Sequence, residues 1–142
     1  MVAYNKFQDF SEQLVRGVHD FDANVFKVML TLVAPVATNT QKSDLTEIAA
    51  GNGYSAGGTA TTMAVSEAAG TTTLTGTEVV FTASGGAIAN FRYAVLYNDS
   101  STSPVDALIA WWDYASTVTL ADGDSLTVKF NNASPGTIFT LA

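Results

Sequence analysis

Few residues in this 142-residue chain have the means to do chemistry. His19 is its one histidine, and the absence of cysteine excludes disulfides and thiolate nucleophiles or metal ligands. His19 precedes Asp20 and Asp22, but zinc would need further ligands that no neighbouring motif supplies. A cap followed by a turn explains this cluster more simply. We therefore predict no catalytic residue, no bound metal and no cofactor.

Two glycine-containing segments resemble fragments of ligand-binding motifs. Residues 51–58 hold four glycines but lack the Gly-Lys-Ser/Thr ending of a phosphate-binding loop. Such a run instead predicts positive φ angles or close backbone approach. Asp122-Gly123-Asp124 resembles part of a calcium loop without its acidic ladder. A tight hairpin turn is the simpler interpretation.

The aromatic residues Trp111, Trp112 and Tyr114 would suit a sugar-stacking platform. Adjacent residues of a strand point to opposite faces, however, so one tryptophan should enter the core while the other faces a partner or a helix. Trp112 and Tyr54 are the aromatic residues that we expect to be exposed for partner contact.

The charge balance restricts the class of partner. The net charge is −7, and only 13% of residues are charged against 47% hydrophobic. This composition argues against disorder, and six cations cannot form the basic face that nucleic-acid binding needs. No apolar run is long enough for a membrane span, and the N-terminus lacks a secretory pattern, so we expect synthesis in a cytoplasm. A weakly charged, Thr-rich surface is common in proteins of large assemblies.

The elements that would position these residues begin with a helix over residues 4–16. Tyr4, Phe7, Phe10 and Leu14 are spaced by three, three and four, which would place them on one apolar face, with Gly17 as the stop. This face either docks on the protein's own sheet or grips a neighbouring subunit. We expect the rest of the chain to fold without residues 1–17, and their deletion to weaken attachment to a partner.

The remainder of the chain has the pattern of short strands separated by turns. Strands are predicted over residues 25–33, 59–66, 71–74, 78–83, 91–97, 107–114, 117–120, 125–130 and 137–141, with a polar turn over 98–104 and a hairpin joining 117–120 to 125–130. This spacing predicts a mainly β protein: one antiparallel β-sandwich or jelly-roll domain over residues 1–142, divided into an N-terminal helical segment (1–17) and the sandwich (24–142).

Three stretches together resemble a family of small virion structural proteins of tailed bacteriophages. They are residues 4–10 (YNKFQDF) through 17–21 (GVHDF) into 26–31 (FKVMLT); residues 45–48 (LTEI) with 51–58 (GNGYSAGG); and residues 91–99 (FRYAVLYND) with 108–114 (LIAWWDY) and 120–123 (LADG). The resemblance implies a location on the capsid exterior of the virion. It favours a capsid decoration (cement) role, with the major capsid protein and copies of itself, as a dimer or trimer, as partners.

Two alternatives stay open. A tail or fibre component would contact the host surface through exposed aromatic residues such as Tyr54 and Trp112. A glycan hydrolase would need two carboxylates converging in a cleft. For the decoration role, the candidate interface residues are Tyr4, Phe7, Phe10, Leu14, Tyr54 and Trp112.

Overall fold

This computed structural model describes residues 3–142. They contain ten β-strands, one α-helix and one 3-10 turn. Their bounds are β1 (Ala3–Lys6), α1 (Asp9–Val15), β2 (Phe26–Thr31), the 3-10 turn (Lys42–Asp44), β3 (Thr59–Thr61), β4 (Met63–Ala68), β5 (Thr71–Gly76), β6 (Val79–Thr82), β7 (Ile88–Thr102), β8 (Val105–Leu120), β9 (Ser125–Val128) and β10 (Gly136–Leu141).

The strands form three antiparallel sheets. The main sheet has the order β1-β8-β7-β2-β3, a second sheet has the order β10-β5-β4, and β6 pairs with β9. The long strands β7 and β8 lie at the centre of the main sheet and form a hairpin that closes at Thr102 and Val105. The prediction of a mainly β, sandwich-like antiparallel fold is confirmed.

The main sheet is buried on both faces because alternate residues of its strands enter two separate apolar clusters. Val28 and Leu30 of β2 belong to the larger cluster, which includes residues of the smaller sheets, while Met29 belongs to the other. Trp112 lies in the larger cluster and Trp111 packs against the smaller one. The prediction that the two tryptophans point to opposite faces is therefore confirmed.

The predicted helix over residues 4–16 is wrong in its first half. Residues 3–6 form β1, in which Tyr4 pairs with Trp112, and α1 begins only at Asp9. The free edge of β8 offers backbone hydrogen bonds to this segment, and such tertiary pairing overrides a weak helical spacing. The helix ends at the predicted stop, Gly17, which has φ +77°. The end is a Schellman motif, in which Val18 N–H donates to the Gln13 carbonyl. Residues 1 and 2 of the predicted helical segment and domain lie outside the described residues.

The predicted polar turn over residues 98–104 is mostly strand. The side chain of Asn98 accepts a hydrogen bond from Ser100 N–H, and Ser101 Oγ accepts one from Ala107 N–H, so these polar residues are satisfied inside the β7–β8 hairpin. Only Ser103 and Pro104 remain outside the two strands. The polar composition of this stretch predicted a loop. The sequence does not show that Ser101 has its partner across the hairpin, nor that the Asn98 side chain also donates to Val18 and Asn24.

The predicted hairpin between residues 117–120 and 125–130 is also wrong. Residues 117–120 are the end of β8, where Leu120 pairs with Ile88, and β9 pairs with β6 instead. The turn is present, with Asp124 N–H donating to the Ala121 carbonyl. Turn chemistry specifies a change of direction but does not choose the next strand's partner. The predicted strand over 59–66 is likewise divided at Thr62 between two sheets.

Candidate functional site

Four of the six predicted interface residues lie in the interior of the protein. The exposed fractions are 0% for Phe7, 4% for Phe10, 2% for Tyr54 and 5% for Trp112. The expectation that Tyr54 and Trp112 are exposed is therefore wrong. Tyr4, at 39% exposed, and Leu14, which is partly buried, remain accessible.

The N-terminal segment completes the core and does not sit on its outside. The Phe7 ring lies 4.5 Å from the Trp111 ring, and the Tyr4 ring meets Trp112 edge-on at 5.9 Å. Phe10 contacts Phe139 of β10 at 5.6 Å. Removing residues 1–17 would expose these apolar partners and an edge of the main sheet. These contacts argue against the expectation that the remainder folds without residues 1–17, because the deletion would uncover part of the core.

Tyr54 is buried because its hydroxyl belongs to a closed hydrogen-bond network. The hydroxyl accepts a bond from Leu30 N–H at 3.1 Å and donates to Glu47 Oε1 at 2.7 Å. The same carboxylate accepts Gly57 N–H at 2.5 Å and pairs with Lys42 Nζ at 3.1 Å. Burial raises the pKa of Tyr54 above its usual range. This network fastens the glycine loop to the main sheet and leaves Tyr54 no free polar atom for a partner.

The glycine loop over residues 51–58 is a packing device. A Cβ on Gly58 would lie 1.9 Å from the Val28 carbonyl oxygen, and one on Gly53 would lie 2.0 Å from that of Thr82. The Tyr97 hydroxyl also donates to the Gly57 carbonyl at 2.6 Å. The prediction of positive φ angles and close backbone approach is confirmed.

His19 is buried in an aromatic environment at the start of a turn. Asp20 Oδ1 accepts the N–H groups of Asp22 and Ala23, which confirms the cap-and-turn interpretation. The ring is 6% exposed, and its Nδ1 accepts a hydrogen bond from Asn98 Nδ2 at 3.2 Å. Burial lowers its pKa to about 4, against the opposing charge of Asp9. A shielded imidazole that stays neutral near pH 7 serves packing and is not placed to act as a general base.

Nε2 of His19 has no protein partner, which makes it the one such buried side-chain polar atom in the described residues. Within those residues, no group of three or more His, Asp and Glu side chains has the arrangement to hold a metal ion.

Several carboxylates form hydrogen bonds in turns or take part in ion pairs. Asp124 accepts Ala121 N–H within the turn between β8 and β9, and Asp122 accepts Gly85 N–H, which joins that turn to the loop between β6 and β7. Arg92 makes a bidentate pair with Asp113 at 2.7 and 3.0 Å, which lowers the pKa of that carboxyl. These contacts place the carboxylates in structural roles. Asp122-Gly123-Asp124 forms a tight turn as predicted, although the two strands that it joins do not pair as a hairpin.

An exposed apolar segment follows β2 and was missed by sequence reasoning. Residues 32–36 read LVAPV, and the exposed fractions of Leu32, Val33 and Val36 are 47%, 57% and 57%. Leu32 and Val33 were predicted to be the last two residues of the strand over residues 25–33. Instead, Thr31 Oγ1 donates to the Thr46 carbonyl and accepts Val33 N–H, which turns the chain away from the sheet. A continuous apolar run cannot by itself distinguish a buried strand from an exposed segment.

A second apolar surface is the groove between α1 and the β10-β5-β4 sheet. Its volume is about 500 Å³, and it is lined by Ser11, Leu14, Val15, Phe21, Val65, Thr72, Leu74, Phe139 and Leu141. Val15 at its rim is 88% exposed, and Leu141 is 59% exposed. Leu14 thus lies in the wall of an open groove, and its interface role stays a prediction. Tyr4 lines a separate cleft beside β10 of about 240 Å³.

No helix in residues 3–142 has the length and apolar character needed to cross a membrane. The chain was also compared with protein-family models, with curated proteins and with solved structures, and none of them matches it.

Proposed function

We propose that this chain is a structural virion protein of a tailed bacteriophage, and that it decorates the exterior of the capsid by binding the major capsid protein. In this role it stabilises the shell by contact and catalyses no reaction. The proposal joins the resemblance of its three sequence stretches to the surface that the fold presents.

The observation that carries the proposal is the exposed segment over residues 32–36. Four of its five side chains, those of Leu32, Val33, Ala34 and Val36, are exposed. A contiguous exposed apolar patch on a soluble domain marks a surface that another protein covers. Both ends of the segment are held by hydrogen bonds to other parts of the chain, because Thr31 Oγ1 donates to the Thr46 carbonyl and the Ala37 carbonyl accepts Gln8 N–H. A rigid apolar patch needs little ordering when it binds, which favours affinity.

The absence of charge in the exposed segment supports attachment through it. Residues 32–36 contain no charged side chain, whereas the whole chain has a net charge of −7. A contact made by such a segment requires none of its own charges to be desolvated. The acidic remainder would keep decorated particles apart in solution.

The test is the binding of purified protein to shells that lack it. The variant Val33→Asp with Val36→Asp is expected to bind at least about 10-fold more weakly, since two charges would enter an apolar contact. The matched control is Val80→Asp, because Val80 is 48% exposed on β6 in a different sheet. Equal affinity of both variants for the shells would show that residues 32–36 are not part of the interface.

Imaging of whole particles separates the head from the tail. Density for this chain at many regular positions on the head is expected, with hundreds of copies per particle. A handful of copies confined to the tail would contradict decoration and favour the tail or fibre alternative. That alternative relied on Tyr54 and Trp112 as exposed contacts, and both are buried.

A further inference from the structure

We infer that the free edge of β4 is a self-association site, at which two copies of this chain pair antiparallel about a two-fold axis beside Val65. The pairing would join two β10-β5-β4 sheets into one six-stranded sheet. This inference adds a symmetric contact between copies to the proposed function and stands on β4 alone, so it holds or fails independently of attachment to a shell.

In β4, the backbone N–H and C=O groups of every second residue point away from β5. Thr77 N–H donates to the Thr62 carbonyl at 3.0 Å, and the hairpin closes through Ala69 and Gly70, whose φ angles are +51° and +82°. Positive φ at both residues is typical of a two-residue turn flanked by a hydrogen-bonded pair. Even-numbered residues of β4 therefore bond to β5. Its odd-numbered residues Met63, Val65 and Glu67 direct their N–H and C=O groups outward.

β4 also lacks the features that protect the other sheet edges. β1 has four residues and carries Lys6, β3 has only three residues, β6 and β9 have four residues each, and β10 has a register shift between Thr137 and Phe139. β4 has six residues in unbroken register with β5 and contains neither Lys, Arg nor Pro. A long, regular edge without proline or a cationic side chain is the type that pairs with another strand.

A second copy fits this edge without a clash of charge. If Val65 lies opposite Val65 of the partner subunit, Met63 lies opposite Glu67 of the partner subunit, and no like charges face each other. Glu67 is the one charged residue between positions 63 and 76, and its carboxylate accepts Gly70 N–H at 2.7 Å. It is therefore held toward its own hairpin end. Three outward N–H groups in each copy would give six hydrogen bonds across the seam.

The inner face of the sheet is left uncovered at the same edge. Val65 is 46% exposed, although Leu74, its neighbour on β5, is 1% exposed. A paired strand would extend the sheet beyond Val65 and bring a second valine and Met63 of the partner subunit beside it. Both copies supply strands of equal length, about 20 Å for six residues. The edge, with Glu67 as its one charged residue, therefore matches a second copy of itself in length and brings no like charges opposite each other.

The test is the oligomeric state of the purified chain by analytical ultracentrifugation. The wild-type protein is expected to form a dimer of twice 14.9 kDa. Val65→Pro removes an outward N–H without removing a β4–β5 hydrogen bond, since a proline is tolerated at such an edge position. It should raise the dimer dissociation constant by at least about 100-fold, because two hydrogen bonds are lost and two rings crowd the seam. Its circular dichroism spectrum should be unchanged.

A second variant and a matched control distinguish loss of the β4 contact from misfolding of the chain. Val65→Lys places two like charges at the axis and should also give a monomer, whereas Val80→Lys, on the exposed face of β6, should stay dimeric. Val65→Cys should form a disulfide-linked dimer on oxidation, because hydrogen-bonded antiparallel pairs have Cα atoms about 5.5 Å apart. The chain has no other cysteine to confuse the result.

A wild-type monomer at every concentration would overturn the inference, and so would a dimer that persists in folded Val65→Pro and Val65→Lys. A monomer whose β4 instead pairs with an extended segment of the shell protein would overturn it as well. Loss of shell binding in a protein that remains dimeric would contradict the proposed function and leave this inference intact.

Discussion

Lowering the pH from about 7 to 4 is expected to destabilise the fold through His19. Its imidazole is 6% exposed and lies near three phenylalanine rings, with centroids 5.3 Å from Phe10, 6.0 Å from Phe21 and 6.4 Å from Phe26. Its Nδ1 accepts the Asn98 amide, so a proton on that atom would also set two donors against each other. The neutral ring is therefore the form that the fold accepts.

The size of the effect follows from the two pKa values. The ordinary pKa of histidine is 6.5, and burial lowers that of His19 to about 4. Because the folded-state pKa is the lower one, the unfolded chain binds the proton first as the pH falls. Stability is thus lost between about pH 6.5 and pH 4 and becomes constant below that range. At ~1.4 kcal/mol per pKa unit, the loss is about 2 kcal/mol by pH 5 and at most about 3 kcal/mol in all.

Urea denaturation of the wild type and His19→Asn at a series of pH values measures this contribution. Asparagine retains an acceptor near Nδ1 but does not titrate. Subtracting the two curves removes the contribution that the carboxylates make to the pH dependence of the unfolding free energy. Among these carboxylates, Asp44 and Asp113 have lowered pKa values and contribute at more acid pH. The wild type should lose about 2 kcal/mol more than the variant between pH 7 and 5. Parallel curves, or an imidazole titrating near 6.5 by NMR, would refute the reasoning.

Other substitutions test the packing assigned above. Phe7→Ala should cost about 3–5 kcal/mol of unfolding free energy, since Phe7 is 0% exposed, whereas Tyr4→Ala at 39% exposed should cost clearly less. Equal, small losses in urea denaturation would mean that the N-terminal segment is an appendage. Gly58→Ala should cost at least about 3 kcal/mol because its Cβ would collide with the Val28 carbonyl. Gly85→Ala has a similar φ and open space, so it should cost only about 1–2 kcal/mol; equal losses would show that φ, not the collision, governs both.

The local chemistry of turns and glycines was predictable from the sequence. The stop at Gly17, the turn at Asp20 and the close approach at Gly53 and Gly58 each follow from a preference of one or two residues for a particular backbone geometry. The opposite orientation of the two tryptophans follows from the two-residue period of a strand. These features depend on neighbours in the chain, which the sequence displays directly.

The amino-acid sequence by itself determined a mainly β protein with few charges and little material for catalysis. Only the tertiary structure decided which strands pair and which aromatic residues are covered. Tyr4 became part of a strand because the edge of β8 was free, and Tyr54 was buried because Glu47 and Leu30 satisfy its hydroxyl. Among the described residues, the large exposed apolar side chains are aliphatic except for Tyr4, and they include Leu32, Val33 and Val36 after β2 and Val65 on β4. Buried and exposed apolar residues look alike in the sequence, because exposure depends on which residues from elsewhere in the chain pack over them.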